Sequence, residues 1–96
     1  SHLKEDQIIY EMKSISETNV IAQLRKAVGQ LYEYRYIFSA PRAKLCIVTN
    51  SGLSKEDKWL LRYLELDRCI AYEWTRDFEQ FDCTDNARSL LGSFCP

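Results

Sequence analysis

Apolar and polar positions alternate from Gln7 to Lys13 (QIIYEMK), with Ile8, Tyr10 and Met12 on one side and Ile9, Glu11 and Lys13 on the other. That period of two predicts a strand. Ser14 to Thr18 is a polar break, and from Asn19 the period changes. At about 100° per residue, Val20, Ile21, Leu24, Ala27, Val28, Leu31 and Phe38 fall on one arc. The pattern predicts a long amphipathic helix, capped by Asn19, running to about Ser39 and stopped by Pro41. Leu45 to Thr49 (LCIVT) is a short, continuously apolar run, as expected of a strand covered on both faces. Asn50-Ser51-Gly52 reads as a turn. Ser54, with Asp57 at the capping-box spacing, opens a second helix to about Leu66. Arg68 to Trp74 (RCIAYEW) reads as a third strand, and Ser89-Leu90-Leu91 as the end of a last short helix stopped by Gly92.

The order is strand, helix, strand, helix, strand, helix. Strands joined through helices imply parallel pairing with right-handed crossovers, so the expected class is α/β, a small three-layer sheet structure. Its first strand leaves an outer edge that wants cover, from a partner segment or a second subunit.

Length and composition narrow the function. Ninety-six residues hold one domain, and 46% hydrophobic with 28% charged residues is an ordinary globular balance. The net charge of −1 excludes bulk attraction to nucleic acid, so any polyanion must be held by a local patch. No apolar run approaches the roughly 18 residues of a membrane span, and no signal-peptide pattern is read, so no membrane partner is expected. Ser1-His2-Leu3 resembles a cloning remnant, which would remove the single histidine from consideration. The four cysteines, Cys46, Cys69, Cys83 and Cys95, form no CxxC and lack histidine partners, which argues against structural zinc. Cys46 and Cys69 lie inside apolar runs, as small buried hydrophobes of a reduced, cytoplasmic protein.

The long helix carries more than its core stripe. Gln23, Gln30 and Tyr34 fall within about 40° of one another along one margin of the apolar arc. Singly, such residues are ordinary boundary residues; in register they form a polar-tipped row. On the outer side, Gly29 costs the helix roughly 1 kcal/mol relative to Ala and permits close approach by another backbone, unless it is simply a tolerated surface glycine. From Val20 to Lys44 the charges are Arg25, Lys26, Arg35, Arg42 and Lys44 against the single acid Glu33. This basic stretch on an otherwise acidic chain can meet phosphates or simply be solvated.

Glu11-Met12-Lys13 places a carboxylate and an ammonium two apart on one strand face. In metal-assisted phosphodiester hydrolysis the carboxylate offers hard oxygen ligands, and the lysine polarises water and phosphate. A second match, Glu56-Asp57-Lys58, falls in the predicted second helix, where the spacing carries no such meaning. A strand ending in Glu-x-Lys-Ser, a polar gap, a helix from Gln23 through Gln30-Leu-Tyr-Glu-Tyr34, then a buried strand resembles the C-terminal half of the PD-(D/E)xK nuclease superfamily. Gln30 to Tyr34 fits the QxxxY element of its RecB-type branches. The likeness covers about Gln7 to Thr49.

What the resemblance implies is a restriction-endonuclease-like core lacking its first strands. Glu11 and the backbone carbonyl of Met12 would hold Mg²⁺ or Mn²⁺, and Lys13 would be the catalytic lysine. Gln30 and Tyr34, with Gln23 as a rival glutamine, would steady the metal water or the scissile phosphate. Arg25 and Lys26 would contact nucleic acid, DNA first and RNA second. The departure is the acidic residue of the preceding strand, since Asp6 lies too close along the same strand to supply it. Cys83 and Cys95 also lack the spacing of the iron–sulfur cluster found in some members. Two further functions stay open: a non-catalytic relative in which Glu11 and Lys13 are only an ion pair, and an unrelated interaction domain using Trp59, Tyr63, Tyr72 and Trp74. On either count, Trp59, Leu60, Leu61, Leu64 and Leu66 make a second helix that wants burial on more than one side.

Overall fold

A computed structural model describes residues 7–92. The elements run β1 (Ile8–Lys13), α1 (Val20–Ile37), β2 (Lys44–Thr49), a 3₁₀ turn (Lys55–Asp57), α2 (Lys58–Arg62), a π-helical turn (Tyr63–Asp67), β3 (Ile70–Thr75), β4 (Phe81–Cys83) and α3 (Asp85–Leu91). The four strands form one mixed α/β sheet in the order β1-β2-β3-β4. β1, β2 and β3 are parallel, and β4 is antiparallel to β3. Among the described residues no helix is long and apolar enough to cross a membrane.

The sheet buries both faces. On one, Ile9, Leu45, Ile47, Ile70 and Tyr72 pack against Val20, Leu24, Ala27 and Leu31 of α1 and against Leu60 and Leu64. On the other, Ile8, Cys46, Val48 and Ala71 meet Ala87 and Leu91 of α3. The continuous run in β2 is buried on both sides, as its composition requires.

Four expectations are corrected. Phe38 leaves the core stripe: α1 ends at Ile37, Ser39 turns the chain with φ 52°, and Phe38 lies exposed beyond the helix. Asn19 precedes α1, but its side chain makes no helix cap, because its Oδ1 accepts from the Ser16 amide at 2.7 Å. Ser54 likewise donates to the Asp57 carboxylate at 3.0 Å rather than capping a helix. β3 begins at Ile70, and Cys69 is exposed at φ 58° where the chain turns into the strand.

The predicted second helix is present as one uninterrupted run from Lys55 to Asp67, but it changes from 3₁₀ to α and its last turn is π-helical. The wider turn shifts the side-chain phase, so the consecutive residues Leu64 and Glu65 are both buried. Burial of the apolar set on more than one side is not found: Leu60 and Leu64 are buried in a single cluster, with Leu61 half-buried against it, whereas Trp59 and Leu66 stay exposed.

β4 was not expected at all. Its three residues lie within an acidic stretch that reads as charge, and the hairpin depends on hydrogen bonds inside the loop. Asp77 Oδ1 accepts from the amides of Glu79 (2.9 Å) and Gln80 (3.0 Å), which hold its carboxyl below the usual carboxylate range. Thr75 Oγ1 donates to the Gln80 carbonyl at 2.7 Å and accepts from the Phe78 amide at 3.0 Å.

β4 pairs only with Glu73 to Thr75. The Tyr72 amide, one residue before that ladder starts, donates instead to Glu65 Oε2 at 3.0 Å. The same carboxylate accepts from Thr84 Oγ1 at 2.7 and 2.8 Å, while Thr84 caps α3 by accepting from the Ala87 amide at 2.9 Å. Burial nevertheless pushes the Glu65 carboxyl up, against the pull of Thr84 and Tyr72. The Tyr72 hydroxyl, donating to the Ser51 carbonyl at 2.8 Å and 2.6 Å from Thr49 Oγ1, is pushed up to about 12 by burial.

Glu73, 3% exposed on the α3 face, is the harder case, since its Oε2 is buried without a partner. Burial raises its carboxyl, opposed by a hydrogen bond from Cys46. Both buried acids thus sit above their ordinary value of 4.5. Folding favours their protonated forms, so their contribution is whole below that value and is lost as pH rises through the folded-state pKa values. Denaturation scans from pH 4 to pH 8 should show stability falling with pH on their account. Glu73→Gln should raise Tm at pH 7 by on the order of a few degrees and flatten that dependence.

Candidate functional site

Glu11 and Lys13 share the β1 face that carries Ile9, opposite Ile47 and Thr49 of β2. Lys13 Nζ lies 3.3 Å from Glu11 Oε2. The pleat puts them side by side, as expected. The expectation that they face solvent is corrected: the side chains are only 11% (Lys13) and 16% (Glu11) exposed, because this is the face over which α1 packs.

The predicted helical residues distribute unevenly around this pair. Gln23 Nε2 donates to the Ser14 carbonyl at 3.0 Å, tying α1 to the residue just after Lys13. Gln30 lies two turns further along α1, and its Oε1 is buried without a partner. Seven helical residues rise about 10 Å, or about three strand residues. α1 runs back along β1, and Gln30 shares the helix flank of Gln23, which faces the end of that strand. Tyr34 is a further turn on, and its ring stacks on Phe38 with centroids 6.0 Å apart, at the far end of the helix. Arg25 and Lys26 are both exposed; Lys26 stands one turn from Gln23 and from Gln30 on the same flank of α1, whereas Arg25 falls on the opposite flank. Glu56 and Lys58 are exposed at the start of α2. Asp6 and Cys95 lie outside the described residues.

Backbone direction places the Met12 carbonyl. The Lys44 amide donates to the Gln7 carbonyl at 2.9 Å, so in this register Gln7, Ile9, Glu11 and Lys13 direct their backbone groups toward β2. Met12, of opposite parity, directs its carbonyl toward the outer edge of the sheet. Lys13 is reached from the strand ends, where Met12, Lys13, Asn50 and Phe78 help line an open crevice of about 170 Å³.

Asn50 is a site residue that motif reading missed. Its Oδ1 accepts from the Ile15 amide at 2.7 Å and its Nδ2 donates to the Ile15 carbonyl at 3.3 Å, pinning the loop between β1 and α1. The signal was present, since a turn asparagine after a buried strand often uses its amide to fix a neighbouring backbone, but the partner 35 residues away was not legible.

Among the described residues no group of three or more His, Cys, Asp or Glu side chains is arranged to hold a metal ion. Glu11 is a single carboxylate already held by an ammonium, and Mg²⁺ gives up its water reluctantly. The described residues therefore do not by themselves fit Mg²⁺ or Mn²⁺. No protein-family model matches the chain, and neither a search of curated proteins nor one of solved structures finds a match.

The pair's energetics are directly measurable. Lys13→Met leaves a half-buried carboxylate without its ammonium, and should destabilise more than the double change Glu11→Gln with Lys13→Met. Urea unfolding of the four-member cycle should give a coupling of about 1–2 kcal/mol, between that of exposed and fully buried pairs.

Proposed function

We propose that the chain is the C-terminal half of a PD-(D/E)xK-type nuclease domain, with a restriction-endonuclease-like core, that cleaves DNA, or RNA as second choice, in the cytoplasm. The observation that carries this reading is the placement of Glu11 and Lys13 side by side beneath α1, on the strand at the sheet's edge. Three further features support it. Gln23 reaches the end of that strand, Gln30 carries a buried, unpartnered acceptor on the same flank of α1, and the Met12 carbonyl is directed to the edge.

In this reading a second acid comes from a strand laid along β1, from another segment or a second subunit. A divalent ion bound there would supply Lewis acidity toward the phosphate and an activated water. Glu11 and the Met12 carbonyl would be this chain's ligands. Lys13, released from Glu11, would offer its ammonium to charge on the phosphate, and Gln30 or Gln23 would accept from the attacking water. Tyr34, stacked on Phe38, would act by holding the helix end rather than by touching the phosphate.

A second reading is favoured by the closed ion pair itself: a nuclease-like fold kept for nucleic-acid binding or assembly, with Lys13 permanently neutralising Glu11.

Cleavage separates the two. The 96-residue chain incubated with linear and circular DNA and with RNA, in Mg²⁺ and in Mn²⁺, should cleave little or nothing. The parent reading frame with its upstream segment should cleave, and Lys13→Ala in that context should abolish cleavage. Cleavage that survives Lys13→Ala, or a parent protein inactive on every substrate, would discard the nuclease reading.

A further inference from the structure

The far end of α1 carries a feature that the pair on β1 does not use. Tyr36, Ile37 and Phe38 are consecutive and all exposed, Tyr36 to 86%. Beside them Tyr32, Arg35, Tyr36, Ser39 and Pro41 line a shallow basin of about 460 Å³.

The basin is built rather than incidental. The Tyr32 hydroxyl donates to the Arg68 carbonyl, which fixes that ring. The Arg35 guanidinium stands 4.8 Å from the Tyr32 ring centroid and donates to the Ala43 carbonyl at 3.4 Å. Its lining thus contains two aromatic rings, a cation held in place and a hydroxyl, and no carboxylate. Glu33, the single acid of α1, does not line the basin but stands one turn from both Gly29 and Tyr36, flanking them on the helix surface.

The basin also continues along the helix. Arg25, Gly29, Tyr32 and Tyr36, at spacings of four, three and four, share one outer stripe about 16 Å long. A Cβ on Gly29 would meet nothing within 4 Å, so the middle of the stripe is open to an approaching chain. One end therefore offers a positive charge, the middle a bare backbone, and the other end rings with a cation.

We infer that this outer face of α1 binds a single-stranded nucleic acid, with an unpaired base stacked in the Tyr32–Arg35–Tyr36–Pro41 basin and backbone phosphates drawn to Arg35 and Arg25. Every base has a π-face, so a fixed ring and an exposed ring suit a splayed base without sequence preference. A duplex keeps its bases stacked inside and gains only the charges. The inference rests on the nuclease reading for the class of partner alone, and its residues are separate from Glu11 and Lys13.

The test uses the chain in EDTA, where no metal-dependent cleavage occurs, with a fluorescein-labelled single-stranded DNA of about twelve nucleotides read by anisotropy. Binding should weaken steeply with salt, and a duplex of equal length should bind more weakly. Tyr36→Ala, at an exposed position that does not support the fold, should lower affinity at least about fivefold. Trp59→Ala, an exposed aromatic on α2, should leave it unchanged. No binding, preference for duplex, or full affinity in Tyr36→Ala overturns the inference. So does loss of self-association in sedimentation by Tyr36→Ala with nucleic-acid binding unchanged, which assigns the patch to a protein contact. Because the assay is metal-free, its failure is distinct from a failure to cleave by the parent protein.

Discussion

Two parallel strands cannot be joined by a tight turn, and the chain between β1 and β2 must travel back the length of the sheet before it can pair again. That constraint organises the molecule. The return path is α1, and the crossover lays it over the face of β1 that bears Ile9, Glu11 and Lys13. The helix must bury Val20, Leu24, Ala27 and Leu31 there, and the margin of that stripe then carries Gln23 to the end of β1, with Gln30 on the same flank. The covering of the ion pair and the alignment of the glutamine row above it follow from the same crossover.

At the other side of the sheet the governing shortage is strand length. β4 is three residues long, too short to pair with all of β3. Glu65 takes the place of the missing backbone by accepting the Tyr72 amide, and the π-helical turn is the local cost of bringing a carboxylate to that point. Since the same carboxylate accepts from Thr84, one side chain joins the second helical segment, the central sheet and the start of α3. Protonation of Glu65 is compatible with burial yet weakens two accepted bonds. This balance explains why its carboxyl is raised without being left unpartnered, in contrast to Glu73.

Much of this was legible in residue order. The alternation of Gln7 to Lys13, the helical stripe from Val20, the apolar run at Leu45 and the stop at Gly92 each report a local period or a local steric rule, and each corresponds to an element. The Glu11–Lys13 contact was legible for the same reason, since i and i+2 on a strand are neighbours whatever surrounds them. What was not legible depends on partners distant in sequence. The cover over the pair comes from α1 packing, the π-helical turn from Glu65 reaching Tyr72 and Thr84, and the exposure of Cys69 from a left-handed turn between segments. β4 is short enough that its propensity is outweighed by the charges around it, and only the Asp77 and Thr75 hydrogen bonds define it.

The remaining question is what the charge balance of the β1 site allows. A carboxylate and an ammonium in contact sum to zero, so the pair as it stands gives a divalent cation no net attraction while asking it to shed water. The neutral acceptors, Gln30 Oε1 and the Met12 carbonyl, add donor atoms but no charge. One further carboxylate would change the sign of the site, and with it the competition between cation and ammonium for Glu11. The geometry limits where that carboxylate can come from. β2 flanks β1 on one side with residues that are already buried and apolar, and α1 covers the face above. Among the described residues, the outer edge of β1, toward which the Met12 carbonyl is directed, is the side left for a new strand to enter. Whether the site is a catalytic centre or a structural ion pair is therefore decided by what lies along that edge, more than by any residue of the Glu-x-Lys motif.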